Sequence, residues 1–303
     1  MKSIYYFLSA IALVTTSMAK VSLSSFENLP LEEKKQALQS DFITGYEKPS
    51  EMLAIYTLGM MDENASISNT SVLISSMFTP FLQQLQDPEY EHEFGEGFTP
   101  PAFSEEDAKA FQTALLQSAN KETPRRVKVF ALQALIFCHP PNEELEKFYL
   151  AKLRAESDQL VKRSLIRCLA MAGYKSDDFV RILLDTLGPN GPQGLSLLPD
   201  IASNALVTIK PKSAIPELIS WIQNPDAAQA NILNTLAQYG KEASGAKEPL
   251  KELLLDKNAA ENLLHTAKKC YTAIASNSPP EDHAYEVLKL KPLWSTKLFS
   301  SKE

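Results

Sequence analysis

Ala202-Ser-Asn-Ala205-Leu206-Val-Thr-Ile-Lys210-Pro211-Lys212-Ser-Ala-Ile215-Pro-Glu-Leu218-Ile219-Ser-Trp221-Ile222-Gln-Asn-Pro225-Asp226 decides the fold. Its first part packs small residues at Ala202 and Ala205 and a large one at Leu206. Lys210-Pro211-Lys212 then breaks the pattern as a turn. Its second part places Ile215, Leu218, Ile219 and Ile222 at i, i+3, i+4, i+7, one face of a helix. Two such helices form a hairpin that cannot hide its apolar stripes alone.

The first-helix motif returns along the chain. It occurs as Ala131-x-x-Ala134-Leu135, Leu165-x-x-Cys168-Leu169, Ala202-x-x-Ala205-Leu206, Ile232-x-x-Thr235-Leu236 and Ala267-x-x-Cys270-Tyr271. Consecutive copies lie about 35 residues apart, a period that belongs to stacked helical hairpins. Turn residues follow each of the first four copies: Pro140-Pro141-Asn142, Gly173-Tyr174-Lys175-Ser176, Lys210-Pro211-Lys212 and Gly240-Lys241. Val180, Leu183, Leu184 and Leu187 form a second-helix stripe like that of Ile215 to Ile222. Period-two alternation is absent over any useful length, so the expected class is all-α, an α-solenoid of stacked hairpins.

The motif spacing and the second helix AIPELISWIQNPD (214–226) resemble the HEAT-repeat family. The resemblance covers about half of the chain well, and more if residues 50–86 are a degenerate first repeat that caps the stack. It implies a curved stack that binds other macromolecules on its inner, second-helix face. HEAT-like metal hydroxylases carry several His-Glu dipeptides in successive repeats, whereas His92-Glu93 stands alone here.

Outside the repeats, the chain divides as follows. Residues 1–19 have the form of a cleavable export signal, with Lys2, an apolar run from Ile4 to Val14, and Ser17-Met18-Ala19 for the peptidase. That run is too short to span a bilayer, which takes roughly 20 residues. The pattern predicts a soluble exported chain, periplasmic or secreted, beginning at Lys20. Residues 20–86 form an N-terminal helical region, with helices expected over Leu29–Leu38, from Pro49 through Gly59, and over Ile67–Leu85. Residues 87–103 are an acidic, aromatic- and Pro-containing connector, 104–278 the repeat array, and 279–303 a C-terminal amphipathic piece (Ala284–Leu290) and tail.

The net charge of −7 is concentrated in 87–107, which holds eight acids and no Lys or Arg. Without a dominant basic stripe, nucleic acid is not an expected partner. Tyr90, Glu91, Glu93, Phe94, Glu96 and Phe98 lie within this segment. It is either a connector pinned by its aromatics or a docking loop that selects a basic protein partner. Trp221 is the other candidate, roughly 110° from the centre of its helix's buried stripe. Its ring is either an exposed anchor or folds over the neighbouring repeat.

Evidence for catalysis is thin in the sequence. His92, His139, His265 and His283 make no i, i+4 pair, and phosphate loop, dinucleotide fingerprint and nucleophile elbow are absent. Cys168 and Cys270 occupy the small-residue slot, and Cys138 sits too far along its helix for the ~7 Å Cα limit of a disulfide, so three buried thiols are expected. The expected function is therefore a non-catalytic scaffold without a cofactor. The competing reading is an enzyme or a calcium-type accessory factor that uses the acidic segment's carboxylates.

Overall fold

The structure is a computed structural model that describes residues 22–39, 49–84, 105–121, 123–138, 142–192 and 196–276. The described residues form helices and turns, so the chain is all-α. None of their helices is long and apolar enough to cross a membrane. Two compact units are present, divided between Pro140 and Pro141.

In the first unit, α1 (Leu23–Phe26), α2 (Leu31–Gln39), α3 (Pro49–Met61), α4 (Ala65–Gln84), α5 (Glu105–Asn120) and α6 (Arg125–Cys138) share one core. The three helices expected over 29–85 are α2, α3 and α4. Helix α3 is central and packs on α1, α4 and α5, and α6 packs on α4 and α5. Met52, Ile55, Tyr56, Phe111, Leu115 and Leu135 are fully buried there. Gly59 lets α3 and α4 approach closely, because a Cβ on it would sit 2.1 Å from Ser71 Oγ. Asn64 caps α4 by accepting from the Ser66 amide at 3.0 Å. Lys34 of α2 bridges to Asp62 at 2.9 Å and lies over the Phe26 ring.

The second unit alternates first and second helices. The first helices are α8 (Gln159–Met171), α10 (Leu198–Ile209), α12 (Gln229–Tyr239) and α14 (Glu261–Ser276). The second helices are α7 (Glu143–Ala155), α9 (Asp177–Leu187), α11 (Ile215–Ser220) and α13 (Lys247–Leu255). Helix α8 packs on α10, α10 on α12 and α12 on α14. Each second helix packs on the first helix that follows it: α7 on α8, α9 on α10, α11 on α12 and α13 on α14.

Local sequence sets these boundaries. Asn142, Asp158 and Ser176 accept from the amides of Leu145, Leu160 and Phe179, so each satisfies an open helix start. Asp177 and Asp178 add negative charge at the positive end of α9. Gly173, Lys210 and Gly240 each stand four residues beyond the large motif residue, and each has a positive φ. Three successive first helices thus stop at one register, and only at Lys210 does a side chain bear the left-handed strain.

The second helix expected across 214–226 is shorter than its apolar stripe. Helix α11 ends at Ser220, and Trp221 to Gln223 continue as a turn. Pro225 disfavours helical geometry at Asn224, so the chain unwinds within one turn of it while Ile222 remains buried.

Candidate functional site

A chain of polar bridges runs across the second helices of the second unit. Arg154 of α7 donates to Asp178 of α9 at 2.7 Å. Arg181 of α9 donates through Nη1 and Nη2 to the Glu217 carboxylate of α11 at 3.0 and 2.6 Å, and through Nε to Asp185 at 2.9 Å. Gln223, just past α11, donates to Glu252 of α13. Lys212 bridges to Glu242 at 3.0 Å on the turns above. The Glu217 and Asp185 carboxylates outweigh the modest burial of Arg181 and raise its guanidinium above the ordinary range. Each bridge is exposed and contributes roughly 0–1 kcal/mol. Together they link each second helix to the next.

Trp221 caps α11 and is half-buried, and it rests against Gly188, the cap of α9. A Cβ on Gly188 would lie 3.0 Å from Trp221 Cη2 and 3.1 Å from Cζ2. The amide of Ala228 donates to Leu187 O at 2.9 Å and closes the same corner from the other side. The ring therefore lies across the neighbouring hairpin. Tyr90, Glu91, Glu93, Phe94, Glu96 and Phe98 lie outside the described residues, so the structure does not bring them together with Trp221.

Two tyrosines that the sequence reading missed clamp successive hairpins. Tyr174 Oη donates to Asn142 O at 3.2 Å and accepts from the Asn142 amide at 3.1 Å. Tyr239 Oη donates to Pro211 O at 3.1 Å from a buried position. Burial holds both phenols above their ordinary pKa. The available signal was weak: each tyrosine stands next to the glycine that ends a first helix.

Between α10 and α12, Ser203 and Thr235 are buried, and their hydroxyls lie 2.7 Å apart. Thr235 also donates to Asn231 O at 2.8 Å, and Asn231 Nδ2 donates to Asp200 at 2.8 Å. Cys168 and Cys270 are buried thiols, each pushed up to about 12 by burial. The Cys138 side chain lies outside the described residues.

In the first unit, a shallow open groove runs between α3 and α5, lined by Thr57, Met61, Glu106, Lys109, Thr113 and Gln117. Among the described residues, no group of three or more His, Cys, Asp or Glu is placed to hold a metal ion. His265 is exposed on α14. No protein-family model matches the chain, and no curated protein matches it.

Proposed function

We propose that the chain is an exported, non-catalytic scaffold, a HEAT-like α-solenoid that holds a partner protein on its second-helix face. The observation that carries this reading is the serial packing of α8, α10, α12 and α14, with bridged second helices beneath them. Such an arrangement is preformed, and a preformed surface loses little entropy on binding. Helix α9 presents Asp177 beside Asp178 and Asp185, which Arg154 and Arg181 bridge, and the acidic segment 87–107 adds negative charge to this bias. The fitting partner is a protein with a basic patch, selected by electrostatic complementarity. Action outside the cytoplasm is proposed from the signal-like pattern of residues 1–19.

Affinity capture with the mature full-length chain tests the reading, using its native envelope fraction at low and high salt. One dominant basic protein is expected, released at high salt and lost when Asp177 and Asp178 are changed to Asn. Neutralising Glu91, Glu93 and Glu96 in a separate variant reports whether the acidic segment shares in the contact. Retention that ignores both salt and these substitutions overturns the electrostatic scaffold.

A further inference from the structure

Asn190-Gly191 is the one Asn-Gly pair in the chain, and it stands in the turn that leaves α9. Gly188 to Gly191 close a β-turn in which the Gly191 amide donates to Gly188 O at 2.9 Å. Pro189 presets the backbone at the second position of the turn, and Asn190 is exposed at the third. Gly191 is pressed against the end of the helix: a Cβ on it would lie 2.4 Å from Thr186 O and 3.0 Å from Gly188 O. Packing therefore requires this glycine, and with it comes a reactive pair.

The reactivity follows from what glycine lacks. With no Cβ on the following residue, the backbone nitrogen can close on the asparagine amide carbon. Once the Gly191 nitrogen loses its proton, it bonds to Asn190 Cγ and ammonia leaves, which gives a cyclic succinimide. Water then opens the ring at either carbonyl and leaves aspartate or isoaspartate; no other co-reactant is needed. The nitrogen that must attack is the one whose proton is held on Gly188 O. We propose that Asn190 is a self-modification site, held off by the Gly191–Gly188 hydrogen bond and released when the turn opens. Both products act on the same corner. Aspartate sets a carboxylate near the negative end of α9, and isoaspartate adds a backbone carbon just before the crowded Gly191. Either loosens the Gly188 cap against which Trp221 rests. The site stands whether or not the chain acts as a scaffold.

Peptide mapping by mass spectrometry of the full-length chain, aged at mildly alkaline pH, tests this beside amide hydrogen exchange. Exchange and ring closure both need the Gly191 N–H freed, so one local opening limits them. Conversion of Asn190 is expected to run about tenfold or more slower in the folded chain than in denaturant, with matching protection of the Gly191 amide. Pro189→Gly, which loosens the turn without touching the reacting atoms, is expected to speed both together. Equal conversion in the folded and denatured chains overturns the gate. So does a Pro189→Gly chain in which Gly191 exchanges faster while Asn190 converts no faster. Absence of conversion in denaturant overturns the site itself.

Discussion

At the scale of single residues, close approach rather than charge sets the sharpest constraints. Gly188 and Trp221 are one such contact: the added methyl of Gly188→Ala meets the indole, with Leu184 O 3.3 Å away on the other side. We expect this substitution to cost about 1 kcal/mol, and Trp221→Leu to recover part of it in a double-mutant cycle read by urea unfolding. No coupling between the two sites would refute the contact. Tyr239→Phe removes one of two hydrogen bonds to the Pro211 carbonyl, which also accepts from the Ala214 amide at 3.1 Å, with an expected loss of about 0.5–1.5 kcal/mol. The thiols of Cys168 and Cys270 are held up to about 12 by burial. A thiol reagent at pH 8 should therefore leave both unmodified in the folded chain and label both in denaturant.

At the scale of elements, ends and seams carry the information. Lys210 is the one non-glycine with positive φ among the described residues, and it holds the register that Gly173 and Gly240 hold in the neighbouring hairpins. Lys210→Gly should raise stability by about 1 kcal/mol in chemical denaturation, and a loss would show that the lysine side chain contributes more than its backbone costs. In the first unit, burial opposes the Asp62 carboxylate, but the Asn64 amide and Lys34 outweigh it, so its pKa lies below the ordinary 3.8. A lowered folded-state value makes the bridge a stabilising element above about pH 4, and that contribution is lost as pH falls through the folded pKa. Asp62→Asn should therefore lower the melting temperature at pH 6 and make no difference near pH 2. Much of this level was legible in the sequence. A small-small-large motif reports burial directly, since each residue's size answers to its own neighbours, and turn residues such as Gly173 and Lys210-Pro211 mark where first helices stop. The Arg181–Glu217 and Tyr239–Pro211 pairs were not legible, because each joins residues about one repeat apart through turns whose geometry no local pattern encodes. The early stop of α11 was written in Asn224-Pro225 but masked by an apolar stripe that continues to Ile222 through a non-helical turn.

At the scale of the whole molecule, the proposed solenoid of stacked hairpins would make stability a sum over neighbours, and binding a matter of which face stays open. The scaffold reading predicts that calcium and EDTA leave the melting temperature of the mature chain unchanged. A specific site on the folded form would shift it upward by mass action, and a calcium-dependent rise would revive the accessory-factor reading. One buried seam bears on a different question, namely how a chain of look-alike hairpins keeps them in order. Most first-helix contacts are apolar and would tolerate exchange of one repeat for another. The Ser203–Thr235 hydroxyl pair would not, because Thr235 set against Ile166 or Leu233, which stand in the place of Ser203 on α8 and α12, would lose its cross-helix partner. That pair gives the array an address: α10 is told apart from its siblings by chemistry rather than shape. Deleting or transposing the hairpin that carries it should therefore damage the protein more than the lost apolar area alone would suggest.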